Sequence, residues 1–64
     1  MGKLRRGGLV FLTWISDHGP RHVHVYRNGV FVVKWDSDNW VAMQGEASER
    51  VLKIIRQLQS EGLL

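Results

Sequence analysis

The 64-residue sequence predicts an α+β fold, in which a three- to four-stranded antiparallel sheet carries one C-terminal helix packed on one face. Three observations predict it. Branched and aromatic residues dominate residues 9–43, as they do in strands. Asn28-Gly29 is the strongest short signal for a β-hairpin. From residue 51 onward, apolar residues recur at spacings of three and four, as on one side of a helix.

The length allows one small domain, and we assign residues 9–64 to a single β-β-β-(β)-α unit. Residues 1–8 contain Lys3, Arg5 and Arg6 and are expected to form a flexible basic N-terminal arm. The sequence has no cysteine, so no disulfide supports so small a core. Self-association or a partner protein is therefore expected to complete it.

The first predicted strand, Leu9–Ser16, is apolar and rich in branched and aromatic residues. Residues 17–20 break it with turn-forming residue types. The second strand, His22–Arg27, alternates in character, so its side chains separate onto two faces. His22, His24 and Tyr26 share one face, and Val23 and Val25 share the other.

Asn28-Gly29 predicts a type I′ turn that returns the chain into a strand over Val30–Trp35. Residues 36–39 form a polar turn, and residues 40–43 form a short fourth strand that Gly45 ends. The final element is a helix over Ser48–Glu61, with Ser48 as its N-cap and Gly62 as its left-handed stop. Its apolar stripe consists of Val51, Leu52, Ile54, Ile55 and Leu58.

A two-residue hairpin loop sets the strand register, and directly opposed residues share a face. The predicted valine face holds Val23, Val25, Val30 and Val32. The predicted histidine face holds His22, His24, Tyr26, Phe31, Val33 and Trp35. We expect the helix to cover the valine face and to leave the histidine face open. In the alternative assignment, Phe31, Val33 and Trp35 form the core instead.

The candidate catalytic residues are His22, His24 and Tyr26. Imidazoles titrate near neutral pH, so two of them can act as the base and the acid of metal-independent RNA cleavage. Arg21 or Arg27 would supply the cation for the charged phosphorane. In the alternative interpretation the histidines only pack beside Tyr26 and Trp35.

The candidate RNA-binding residues are Arg21, Arg27, Phe31 and Trp35. Aromatic rings interleaved with arginines on an open sheet face hold single-stranded RNA, because bases stack on the rings. An exposed aromatic patch equally marks a protein interface. The formal net charge of +3 suits an RNA or an acidic partner.

His22 and His24 also have a spacing that presents two nitrogens to one metal ion, with His18 and Asp17 as further ligands. Such a strand motif without cysteine more often binds no metal, and we expect no metal and no cofactor. No apolar run approaches the length of a membrane span or of a secretory signal. We therefore expect a cytoplasmic protein without membrane contact.

The run Asp17–Val25, which follows an aromatic strand, resembles a family of short bacterial proteins of uncharacterised function. That family is marked by an acidic residue and a histidine, a proline-rich turn and then His-Val-His-Val. The likeness covers Leu9–Leu58, although Pro20-Arg21 stands where the family has a double proline. The resemblance implies a two-gene toxin–antitoxin setting with an antitoxin-like partner protein.

The order of the sheet and its closing helix resembles, more weakly, the HicA messenger-RNA interferases, whose first helix and Gly-Ser-His signature this chain lacks. These features together predict a small bacterial toxin-like protein that binds and cleaves RNA on its histidine strand. Two alternatives stay open. One is a non-enzymatic module that binds a protein through the same face, and the other is a metal-binding protein.

Overall fold

The computed structural model describes residues 2–13 and 21–64. Within these residues the chain forms a five-stranded antiparallel sheet, whose strands follow one another in sequence order, and then a helix. The predicted α+β class is confirmed, but the strand count is five rather than three to four. The elements are β1 Gly2–Arg6, β2 Leu9–Thr13, β3 His22–Arg27, β4 Val30–Asp36, β5 Val41–Gly45 and α1 Glu49–Ser60.

The additional strand, β1, is formed by the basic segment that was expected to be a flexible N-terminal arm. It pairs with β2 along its whole length, from Gly2 opposite Thr13 to Arg6 opposite Leu9. Gly7 and Gly8 connect the two strands with φ angles of 62° and 79°. A type I′ turn needs positive φ at both central positions, and glycine adopts it without strain. The Gly-Gly pair therefore makes the basic segment an edge strand.

The turn between β3 and β4 is the predicted one, with φ angles of 52° at Asn28 and 78° at Gly29. The predicted register holds only beside this turn, where Tyr26 lies opposite Phe31. Beyond it the pairing shifts by one residue, so that Val25 lies opposite Val33 and not opposite Val32. Val32 is the extra residue of a β-bulge.

This bulge changes which β4 side chains face the helix. Val33 and Trp35 join Val23 and Val25 in the core, although both were expected on the histidine face. Val30, expected among the valines of the core, is 66% exposed. The predicted face assignment of β4 is therefore wrong from Val33 onward, because a bulge reverses the facing of every later residue, whereas Val32 packs against the core as expected.

A glycine allows the close packing beside the bulge. Gly45 ends β5 with a φ angle of 78° and lies opposite Val33. A Cβ atom at this position would lie 2.3 Å from the carbonyl oxygen of Val32. Only glycine fits such an approach, so the predicted end of the last strand at Gly45 is confirmed for a physical reason that the sequence does not show.

The helix covers the valine face of β3, as expected. Its buried residues Val51, Ile54, Ile55 and Leu58 form one cluster with Phe11, Val23 and Val25. Ser48 caps it, since its hydroxyl oxygen accepts a hydrogen bond from the amide of Val51 at 3.3 Å. At its end Gly62 has a φ angle of 77°, and the amide of Leu63 donates to the carbonyl of Leu58 at 2.9 Å. This is a Schellman ending, with Gly62 in the expected role.

Two side chains join the β1–β2 hairpin to the helix. The guanidinium of Arg6 pairs with the carboxylate of Glu61 through both of its terminal nitrogens. Arg50 donates to the carbonyl oxygen of Gly7 at 2.8 Å. Because these contacts lie on the helix side of the sheet, they hold β1 in place and leave its alternate residues, Lys3 and Arg5, on the opposite side.

Candidate nucleic-acid interface

The face of the sheet opposite the helix, here called the open face, is built by alternate residues of all five strands. Leu4, Leu9, Phe11, Val23 and Val25 point toward the helix, so their neighbours in each strand point away from it. Opposed residues share a face, which extends this assignment across the sheet. The open face contains Lys3, Arg5, Val10, Leu12, His22, His24, Tyr26, Phe31, Lys34, Asp36, Val41 and Gln44.

The pairing register arranges the open face in three rows that cross the strands. The aromatic row consists of Arg5, Val10, Tyr26 and Phe31. The cationic row consists of Lys3, Leu12, His24, Lys34 and Gln44. The acidic row consists of His22, Asp36 and Val41. Neighbouring rows are two residues apart, which is about 7 Å along a strand.

His22 and His24 lie side by side on the open face, as predicted. Their ring centroids are 5.5 Å apart and the ring planes meet at 72°, an edge-to-face arrangement. Both residues are half-buried. Because neighbouring imidazoles at this separation can both reach one small group bound above the sheet, the pair is suited to acid–base chemistry.

Tyr26 and Phe31 form a second aromatic pair, in the aromatic row. Their ring centroids are 5.8 Å apart and the planes meet at 76°. Phe31 is 37% exposed, so part of its ring is open to solvent. Tyr26 lies on the face predicted for it, but its ring contact is with Phe31, so its position suits stacking on a flat ligand.

The acidic row is organised by Asp36, a buried residue directly opposite His22. Its carboxylate accepts hydrogen bonds from the side-chain amide of Asn39 at 2.8 Å, from the Asn39 backbone at 2.9 Å and from the Asp38 backbone at 3.0 Å. These bonds, led by the Asn39 side chain, hold the pKa of Asp36 below its ordinary value, and the nearby His22 adds to the effect. Asp36 therefore stays ionised beside the first histidine.

The same turn fixes the start of β3. The amide of Arg21 donates to the carboxylate of Asp38 at 2.9 Å, and the carbonyl of Arg21 accepts from the amide of Ser37 at 2.8 Å. Arg21 itself is exposed. Because both bonds involve its backbone, they position the following His22 and leave the guanidinium in solvent.

The four predicted RNA-binding residues do not all reach the open face. Phe31 does. Arg21 and Arg27 are exposed at the two ends of β3, at positions that alternate with the histidines. Trp35 is 6% exposed and packs edge-to-face against Trp40, with ring centroids 5.1 Å apart. Its predicted place on the histidine face is wrong, because the bulge at Val32 turns it into the core.

Three cations on the open face were not among the predicted site residues: Lys3, Arg5 and Lys34. The first two were assigned to the arm, although Gly7-Gly8 is a hairpin signal that would have placed them in a strand. Lys34 was expected opposite Val23 and lies opposite His24. No sequence signal locates this shift, because residues 30–33 are uniformly apolar.

The metal hypothesis gains no support from the described residues, which contain no group of three histidine, cysteine or acidic side chains placed to bind an ion. Two of its predicted ligands, Asp17 and His18, lie outside those residues. Metal binding therefore stays a prediction. Over residues 2–13 and 21–64, no helix combines the length and the apolar character needed to cross a membrane.

Comparisons of the chain with protein-family models, with curated proteins and with solved structures found no match. Three predictions therefore stay untested: the resemblance to the His-Val-His-Val family, the toxin–antitoxin setting and the likeness to the HicA interferases. Part of the motif that carries the first resemblance, residues 17–20, lies outside the described residues.

Proposed function

We propose that the open face binds RNA and that His22 and His24 cleave it there. The observation that carries this proposal is the juxtaposition of two histidine rings, 5.5 Å apart, with an aromatic pair in the neighbouring row. Phosphate, ribose and base are chemically distinct, and the open face offers a separate group to each of them.

The charges of the open face favour an anionic ligand. Lys3, Arg5 and Lys34 all belong to it, and among the described residues its only acidic side chain is the hydrogen-bonded Asp36. A second copy of the same face would bring like charges together, which opposes face-to-face dimerisation. Unpaired bases stacked on Tyr26 and Phe31 would contribute about 1–3 kcal/mol each.

The histidines supply the two proton transfers that RNA cleavage needs. One imidazole removes the proton of a ribose 2′-hydroxyl, whose oxygen then forms a bond to the adjacent phosphorus. The bond from phosphorus to the 5′-oxygen of the next nucleotide breaks, and the other imidazole, in its protonated form, gives that oxygen a proton. The products are a 2′,3′-cyclic phosphate and a 5′-hydroxyl, so no water or metal is consumed.

A non-enzymatic protein interface is the second candidate function. Val10 and Leu12 are half-buried on the open face, and such apolar groups beneath a ring of charge are typical of a protein-binding surface. The positive charge of the face would then select an acidic partner.

Tyr26→Leu is expected to weaken binding of a single-stranded oligoribonucleotide about 5- to 150-fold, because it removes one stacking platform. Tyr26→Phe keeps the ring and is expected to bind as the wild type does. Fluorescence anisotropy with a labelled, 2′-O-methylated oligonucleotide, which cannot be cleaved, measures both affinities. Equal affinities of the two folded variants would contradict stacking of bases on this face. If the wild-type protein bound no RNA, the interface for an acidic partner protein would remain as the candidate function.

A further inference from the structure

The bulge at Val32 places a lysine beside the histidine pair. Without the bulge, Lys34 would lie opposite Val23 and face the helix; with it, Lys34 lies opposite His24. Directly opposed residues of antiparallel strands have Cβ atoms about 4.5–5.5 Å apart. A group bound to the His24 ring is therefore within reach of the Lys34 ammonium.

The cationic row extends this pairing across the sheet. Lys3 belongs to the same row on β1, two strands from His24, with only the apolar Leu12 between them. Since neighbouring strands are about 4.8 Å apart, Lys3 and Lys34 are about 14 Å apart across the face. His24 lies between these two cations, so the row offers an anion more than one contact.

The rows on either side of the cations differ in character. On one side, Tyr26 and Phe31 present aromatic rings. On the other side lies Asp36, whose lowered pKa keeps it ionised. A polyanion is attracted to the cationic row and repelled from the acidic one, while bases are favoured over the rings.

We propose that Lys34 binds the phosphate that the histidines act on, and that an unpaired RNA segment crosses the strands with its phosphates over Lys3 and Lys34 and its bases over Tyr26 and Phe31. This inference rests on the proposed function and specifies its substrate class. A base-paired duplex does not fit, because its bases are turned inward and cannot stack on the rings.

Lys34 replaces the arginines in the role of the phosphate cation. Arg21 and Arg27 alternate with the histidines along β3 and so belong to the other side of the sheet. The backbone of Arg21 is also held by the turn over residues 36–39, at the end of β3 that is farther from the aromatic row. Neither arginine lies in the row of His24.

The test compares Lys34→Gln with Lys53→Gln, an identical loss of charge at an exposed position of the helix, on the opposite side of the sheet. RNA affinity is measured against salt concentration with the uncleavable oligonucleotide. Lys34→Gln is expected to reduce the magnitude of the slope of log affinity against log salt by about 0.7, the contribution of one phosphate contact on a single strand. Lys53→Gln is expected to leave the slope unchanged.

Cleavage supplies a second measurement on the same variants. Lys34→Gln is expected to lower the single-turnover rate about 100-fold, because the cation no longer stabilises the charge that develops on the phosphate. Lys34→Arg keeps a cation at this position and is expected to cleave at close to the wild-type rate. A fully paired RNA of the same sequence is expected to bind more weakly than the single strand.

The proposed path of the RNA, with phosphates over Lys3 and Lys34 and bases over the aromatic pair, is here called the track. It would be overturned if the slopes of Lys34→Gln and Lys53→Gln were equal while Tyr26→Leu still lost affinity. RNA binding by the open face would then stand without the track. Equal binding of duplex and single strand would also overturn the track. If the wild-type protein bound no RNA, both the track and the proposed function would fail.

Discussion

Replacing either His22 or His24 with alanine is expected to lower the rate of RNA cleavage about 100- to 10,000-fold, the usual contribution of a general acid or base. The affinity for RNA is expected to change much less, because in the proposed complex the phosphates contact the lysines and the bases contact the aromatic pair. The ring centroids of the two histidines are 5.5 Å apart, and the two side chains act as one unit. Removing either ring therefore disables the other, and the double variant is expected to cleave little more slowly than either single variant.

Single-turnover cleavage of a defined oligoribonucleotide measures this effect, and circular dichroism shows whether each variant is folded. Gln57→Ala, an exposed change on the helix, is a control that should cleave at the wild-type rate. A substrate with one 2′-deoxy position should be cut everywhere except there, since that ribose lacks the nucleophile. Wild-type rates in a folded His22→Ala, His24→Ala double variant would remove the catalytic part of the proposal and leave a binding face.

Phe11→Ala is expected to destabilise the fold by about 3–5 kcal/mol, the usual cost of deleting a buried phenylalanine. Phe11 is 0% exposed and belongs to the cluster that joins the sheet to the helix. A chain of 64 residues has a total stability of about 3–10 kcal/mol. The substitution therefore removes from about a third to all of this stability. The variant is expected to unfold at a much lower urea concentration than the wild type.

The matched control is Phe31→Ala, the same chemical change on the open face. Phe31 is 37% exposed and its main ring contact is with Tyr26, so its loss should cost on the order of 1 kcal/mol. Urea unfolding followed by tryptophan fluorescence compares the two. Similar free energies of unfolding for both variants would contradict the division of the sheet into a core face and an open face.

Those parts of the fold that depend on local chemistry were predictable from the sequence. Asn28-Gly29 defines its turn through the φ angles that these two residues tolerate, and Ser48 and Gly62 mark the helix ends for similar reasons. The alternation of His22 to Tyr26 correctly separated the histidines from Val23 and Val25. These signals act within a few residues, where sequence patterns are most informative.

The remaining features of the fold depend on contacts between residues distant in the sequence, which a local sequence pattern does not record. The bulge at Val32 arises where β4 packs against Gly45, a residue distant in sequence. This bulge places Lys34 on the open face and Trp35 in the core. Strand β1 was missed because its charged residues suggest an arm, although an edge strand carries charges for protection against aggregation. The placement of His22, His24, Tyr26 and Phe31 on one face of the sheet was therefore predictable from the sequence, whereas the placement of Lys3, Arg5 and Lys34 beside them was not.

We propose that RNA binds to one face of the sheet, the face opposite the helix. Titrating the isotope-labelled protein with an uncleavable single-stranded oligoribonucleotide, followed by nuclear magnetic resonance, tests it residue by residue. We expect the signals of the open-face residues to shift together and those of Lys53 and Arg56 on the helix to stay unchanged. The open-face residues that report binding are His22, His24, Tyr26, Phe31 and Lys34. Shifts centred on the helix cations, or no shifts at millimolar RNA, would contradict it.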